Sequence, residues 1–272
     1  MAGNNIQNPG SAIGEAIGAS MEAALGEFLK IIAEANNHHY IAKSPFKGKK
    51  KLLMYDQHGT GYNIDSVIAN ESMQPIILFE SKYIRYKKHN RDKGSWLCTA
   101  HPAVRRKYHS IRSSIAILAG NWSSSSIAMM RSYDINIFLI PYQKICGFLE
   151  LHGVNFDWGE KDRAQAFIAW QKYAALPDDT KLAIGRQMAD LVKPDLKNLV
   201  TAILDNKTER LVSRVTIELH SNLGEVKCYD FEKVNDAVDF LNQKELGHMF
   251  ITADSLTLFD LLQETDINDE ET

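Results

Sequence analysis

One stretch limits what this chain can fold into more than any other: Ile76-Ile77-Leu78-Phe79, an unbroken apolar run that passes directly into Glu80-Ser81-Lys82. A run so short, set off by the turn-forming stretch Asn70 to Pro75, predicts a buried strand that carries on into polar residues. Upstream, Asn63 to Ala69 is short and β-rich and predicts a neighbouring strand. Side chains alternate along a strand, so Glu80 and Lys82 should point the same way. If the two segments pair as a hairpin, Asp65 arrives beside Glu80. Two carboxylates that close repel unless positive charge lies between them, and a divalent metal is the usual remedy.

That arrangement has a chemical use. Carboxylate oxygens of Asp65 and Glu80, with the backbone carbonyl of Ser81, would leave positions on Mg2+ for water and a phosphate oxygen. The Lys82 ammonium would orient the attacking water and offset charge building on the transition state. The reaction expected of such a site is metal-assisted hydrolysis of a phosphodiester.

These residues resemble the PD-(D/E)xK nucleases, and among them the type II restriction endonucleases. The resemblance rests on Asp65 and on Glu80-Ser81-Lys82 at the end of an apolar strand, and spans roughly Ser11 to Ile140. Ile64 stands where the motif has proline, at a position that supplies no ligand. The resemblance implies an α/β fold, a three-layer α/β/α sandwich around a mixed sheet of the restriction endonuclease type, with a mainly helical C-terminal extension. It implies Asp65 and Glu80 as metal ligands, Lys82 as the group assisting water, Mg2+ as cofactor, and an accessory carboxylate from the first helix, for which Glu22 fits best. Glu22 otherwise reads as a solvent-exposed helix residue. Double-stranded DNA would be the substrate and a homodimer the working form, since cutting both strands of a two-fold site calls for two related active sites. A repair or junction-resolving nuclease, or a DNA-binding subunit that does no chemistry, fits the same scaffold.

Acid-x-lysine by itself is a weak pattern. The chain also holds Asp179-Thr-Lys181, Asp195-Leu-Lys197, Asp205-Asn-Lys207 and Glu225-Val-Lys227. The last is the serious competitor, because Val212 to His220 and Glu225 to Tyr229 predict a hairpin around Ser221-Asn-Leu-Gly224, with Glu218 on the partner strand.

Charge distribution separates the two. From Lys43 to Arg112 there are fifteen Lys and Arg against five acids, so that segment carries +10 while the whole chain carries −3. Basic residues gathered around a phosphodiesterase site are the footprint of nucleic-acid binding. Arg85, Lys87, Lys88 and Arg91, on a segment expected to be a loop, and Arg105, Arg106, Lys107 and Arg112, on a helix expected from Ala103 to Ala119, are the candidate DNA contacts. With 272 residues and 44% hydrophobic content the chain can bury a full core. No apolar run reaches membrane-spanning length, and Met1 to Gly10 lacks the features of a signal peptide, so a cytoplasmic protein is expected. Cys98, Cys146 and Cys228 have no CxxC pairing and read as free thiols.

In chain order, Ser11 to Ala35 predicts an amphipathic helix whose Gly14, Gly18 and Gly26 imply close packing. Asp134 to Ile140 predicts a strand, and Pro141 to Leu151 a helix. Beyond Gly159 come helices Asp162 to Ala174, Pro177 to Val192 and Asp195 to Leu204, then the hairpin, a helix Val234 to Leu241 and a strand near His248 to Thr252. The expected division is a catalytic core over residues 1–158 and a helical-plus-hairpin region over 159–272.

Overall fold

The computed structural model describes residues 8–42, 52–87, 90–242 and 245–251. It has two compact units, residues 1–205 and 206–272. The division therefore falls after Asp205 rather than after Trp158.

The first unit is mixed α/β. Helix α1 (Pro9–Ala35) leads to strands β1 (His39–Ile41), β2 (Leu52–Tyr55), β3 (Gly61–Ile64), β4 (Ser66–Ala69) and β5 (Pro75–Ile84). Helix α2 (Asn90–Lys107), β6 (Ser113–Gly120), α3 (Ser124–Ser132), β7 (Ile135–Pro141), α4 (Tyr142–Glu150), α5 (Arg163–Ala175), α6 (Asp178–Asp190) and α7 (Lys193–Leu204) follow. Five strands form one sheet in the order β1-β4-β5-β6-β7, antiparallel from β1 to β5 and parallel from β5 to β7. Strands β2 and β3 form a separate hairpin.

Alternation along the central strands sends side chains into helices on both faces. Ile77 and Phe79 of β5, with Ile115, Ile117 and Ala119 of β6, pack into one cluster with α1, α4, α6 and α7. Ile84, Ala116 and Leu118 point the other way, to Leu97 and Cys98 of α2 and Met130 of α3. Leu78 joins Val104 and the β2–β3 hairpin on that same side.

Helix α1 runs two residues further upstream than expected. Asn8 caps it, its side chain accepting the Ser11 N–H at 3.2 Å. Ile13, Ile17, Met21, Leu25 and Leu29 form its buried face, while Ile31 is exposed. The glycines do mark close approach: a Cβ at Gly14 would stand 2.7 Å from the Tyr83 ring of β5.

The helix expected over Ala103 to Ala119 is helical only as far as Lys107. Helix α2 ends at Lys107 with Pro102 inside it, and Ser113–Gly120 is a central strand buried at every position. A parallel strand buried on both faces carries no period, and Ile111, Ile115 and Leu118 happen to fall at helical spacing. Nor is Tyr83 to Lys93 one loop, since β5 extends through Ile84 and α2 begins at Asn90.

The second unit pairs β8 (Val215–His220) with β9 (Val226–Phe231), as the turn at Ser221 to Gly224 predicts. Gly224 takes φ of 90°, and the Ser221 hydroxyl accepts the N–H groups of Leu223 and Glu225 at 3.1 Å. Helix α8 (Val234–Leu241) covers one face, with Phe240 4.6 Å from Tyr229 and 5.2 Å from Phe231. Leu246–Phe250 is a short 3-10 helix, not the strand expected near His248. No helix among the described residues is long and apolar enough to cross a membrane.

Candidate active site

The β4–β5 hairpin sets the site. Ser66 pairs with Phe79 in antiparallel register, so Asp65, the residue just before β4, comes beside Glu80. Strand β4 ends there while β5 continues, which leaves the β5 edge open at Ser81. A strand residue sends its N–H and C=O to the same side. The Ser81 N–H donates to Asp65 Oδ2 at 3.0 Å, so the Ser81 carbonyl also lies along the edge that Asp65 occupies. The Asp65 N–H in turn donates to Glu80 Oε2 at 3.3 Å.

Glu80 and Lys82 point to the α2 face, as alternation requires. The Lys82 ammonium donates to Glu80 Oε1 and, at 3.3 Å, to Asp65 Oδ2. It also lies 5.6 Å from the ring centroid of Trp96 on α2. The side chain of Glu80 is 1% exposed, whereas those of Asp65 and Lys82 are 31% and 25% exposed. One acid is therefore sunk in the protein and the other two groups reach solvent above it.

Burial raises the Asp65 carboxyl above its ordinary range, and the Glu80 charge raises it further; Lys82 and the Ser81 N–H offset this only in part. Burial would raise Glu80 too, but neighbouring His101 and Lys82 bring it below its ordinary range. Of these two, Lys82 is the firmer cause, because His101 Nε2 stands 3.9 Å from Glu80 Oε2, too far for a hydrogen bond. For Lys82 itself, burial acts downward, and Glu80 and Asp65 outweigh it to hold the ammonium up. Lys82 is thus a cation at neutral pH, suited to donating hydrogen bonds and not to taking protons.

Glu22 belongs to this group. It is exposed on α1, yet it lines a small recess together with Asp65, Glu80 and Ser81. Its carboxyl is raised by burial first and then by the Asp65 charge. Three carboxylates therefore share one ammonium. Among the described residues no three His, Cys, Asp or Glu side chains stand close enough to form a ready-made metal cluster. Mg2+ does not need one, since it keeps several waters and takes one or two carboxylates. The excess negative charge and the all-oxygen donor set of Asp65, Glu80, Glu22 and the Ser81 carbonyl fit a hard cation.

Sequence alone gives no sign of His101. It is fully buried on α2, and neither ring nitrogen has a hydrogen-bond partner among the described residues. Only the fold brings it behind Glu80.

The eight expected DNA contacts do not form one group. Arg85 is buried, with its guanidinium 3.6 Å from the Trp158 ring centroid and Nη2 donating to the Trp158 carbonyl at 2.9 Å. It is a core cation, not a surface one. Lys87 and Arg91 are exposed near the start of α2, the end that carries Trp96 beside Lys82. Lys88 lies outside the described residues. Arg105, Arg106 and Lys107 sit at the far end of α2, about 20 Å along the helix from Arg91. Arg112 donates to the Ile203 carbonyl at 2.9 Å, and its own N–H pairs with Ile76 at the opposite end of β5 from Lys82.

The competing motif is not assembled. Glu218 pairs with Cys228 and Leu219 with Lys227, which places Glu218 and Lys227 on opposite faces of the β8–β9 hairpin. Lys227 donates to the Met249 carbonyl, and Glu218 lies 2.6 Å from His220. No protein-family model, curated protein or solved structure matches the chain.

Proposed function

We propose that this chain is a Mg2+-dependent nuclease that hydrolyses phosphodiester bonds of double-stranded DNA on a PD-(D/E)xK-like scaffold, acting as a type II restriction endonuclease and as a homodimer. One observation carries the reading: Asp65, Glu80 and Lys82, spread over eighteen positions, converge at a sheet edge where two of the three reach solvent. The order of α1, the antiparallel strands β1, β4 and β5, and then α2 agrees with the helix, strands and helix that the nuclease resemblance implies. Exposed Lys87 and Arg91 near the acids supply charge for phosphate contacts.

In this reading Asp65 and Glu80 hold the cation, with the Ser81 carbonyl on the same edge and Glu22 as a further carboxylate. Bound there, Mg2+ would polarise a phosphate oxygen and lower the pKa of water. Lys82 keeps its proton, orients the water through an N–H and offsets charge on the phosphoryl oxygens. Lys82 and the Asp65 N–H hold the Glu80 carboxylate in one position, so little reorganisation is left for the reacting state. The all-positive far end, Arg105 to Arg112, is too distant to touch the phosphate being cut.

The test is incubation of supercoiled plasmid with the protein and Mg2+, beside a chelator control and Glu80→Ala. Discrete products that need Mg2+ and vanish in the variant support the reading. DNA binding without cutting by the wild-type chain would replace it with that of a non-catalytic DNA-binding subunit.

A further inference from the structure

Arg85 is a charge buried without a counterion among the described residues. It is 7% exposed, and its guanidinium is packed among Trp158, Phe156 and Tyr86, with centroid distances of 3.6, 4.7 and 5.1 Å. Ring faces attract a cation but are no substitute for an anion. Nε and Nη1 have no hydrogen-bond partner among the described residues. A buried guanidinium in that condition is a site for an acceptor from outside the chain.

A second feature meets it at the same point. Arg85 lies against the N-terminal end of the 27-residue helix α1, where the helix dipole favours negative charge. The first-turn amides are mostly committed: Pro9 has none, Ser11 donates to Asn8 Oδ1, and Ala12 donates to the Asn8 carbonyl. The absent side chain of Gly10 matters as well, because a Cβ there would lie 3.5 Å from Arg85 Nη1, 3.7 Å from Asn8 Oδ1 and 3.8 Å from the Trp158 ring. A cavity of about 840 Å³ joins this point to Ser81 and Glu22. Exposed Lys93 and Arg163 line it, as do exposed Glu15, Glu22 and Glu160, so with Arg85 its charges are three of each sign, and the one positive charge sunk into its wall is Arg85.

We infer that this cavity binds a phosphate monoester, the terminal phosphate of a nucleic-acid strand or of a free nucleotide, at Arg85 beneath the start of α1. A monoester brings close to two negative charges and three acceptor oxygens, against one charge for an internal diester. A fork of guanidinium donors and a helix N-terminus therefore select the terminal group. Ser81 and Arg85 are four residues apart on β5 and just beyond it, roughly 13 Å. The site is thus distinct from the acids, yet one strand could reach both. The link to strand cleavage rests on the nuclease reading; the binding itself does not.

The test is calorimetric titration of the full chain, without added divalent metal, using one oligonucleotide with a terminal phosphate at either end and the same oligonucleotide dephosphorylated. The phosphorylated form should bind about tenfold more tightly, as one charge-assisted contact would give. Competition by a nucleoside monophosphate as tight as the strand assigns the site to free nucleotides, and competition only by the strand end assigns it to strand termini. Arg85→Gln should abolish the difference. Should that variant not fold, Gly10→Ala serves, because its methyl makes only ordinary contacts while filling the spot beneath Nη1, and it should bring the two affinities together. Equal binding of both oligonucleotides by the wild-type chain, or full discrimination in a folded Gly10→Ala, overturns the site. Failure to cleave plasmid beside intact discrimination would remove the nuclease reading alone.

Discussion

His101 Nε2 stands 3.9 Å behind Glu80 Oε2, and neither group touches water. A buried imidazole with no hydrogen bond costs roughly 1–3 kcal/mol. His101→Leu should therefore leave stability unchanged or raise it, as thermal melting would read. Cleavage of DNA should fall in the same variant, because Glu80 loses the polar ring behind Oε2 and keeps only Lys82 and the Asp65 N–H as partners. A variant that melts lower and cuts normally would make His101 a packing residue.

The raised carboxyls of Asp65 and Glu22 have a consequence for pH and metal. A folded pKa above the unfolded one means the folded state binds the proton more readily, so the cost of ionising these groups is present above the folded pKa and is relieved as pH falls through it. Glu80 has the opposite sign, and its contribution is lost as pH falls through its lowered folded pKa. Asp65→Asn should accordingly raise the melting temperature at neutral pH, and Mg2+ should raise that of the wild-type chain more than that of the variant. The variant's advantage in melting temperature without Mg2+ should shrink as pH falls through the raised Asp65 pKa. Differential scanning calorimetry with and without Mg2+, and across pH, checks all three.

How much of this was legible in the sequence follows from what each residue needs. Asp65, Glu80 and Lys82 were readable because their spacing depends only on strand alternation and one hairpin. Helix α1 was readable from its apolar period, though Asn8 was missed as its cap. Strand β6 was not, because burial on both faces erases the alternation that marks a strand. Helix α3 was hidden in Ser123 to Ser126, a run that reads as a polar break until Ser123 is seen capping the helix at 3.2 Å. Arg85 looked like its basic neighbours, since no local pattern reveals Trp158, a residue 73 positions away, stacked over it. Glu22 was exposed in both readings; the resemblance alone pointed to it as an accessory carboxylate, and the fold brings it into one recess with Asp65.

The basic residues should separate by role. Lys87→Ala and Arg91→Ala should leave stability within about 0.5 kcal/mol, and each should lower the salt slope of DNA binding by about 1. Arg105→Ala should alter cleavage less than either. Binding isotherms over a range of salt concentrations give the slopes, and an unchanged slope for both Lys87 and Arg91 would remove them from the DNA face.

Gly120 tests the sheet that carries the site. Its φ is 103°, and a Cβ there would fall 1.7 Å from the Ile84 carbonyl oxygen, at the strand end next to the acids. Gly120→Ala should cost at least about 3 kcal/mol by strain and backbone displacement. Urea unfolding measures it, and a loss under about 1 kcal/mol would contradict the β5–β6 register described above.

Plasmid digestion with Lys82→Ala and Lys227→Ala side by side bears most directly on where the chemistry lies. Two acid-x-lysine motifs on strands compete, and only one has its acids on the same side as its lysine. The expected result is Mg2+-dependent cutting by wild type and Lys227→Ala, with none by Lys82→Ala. Cleavage that survives in Lys82→Ala and disappears in Lys227→Ala would contradict it.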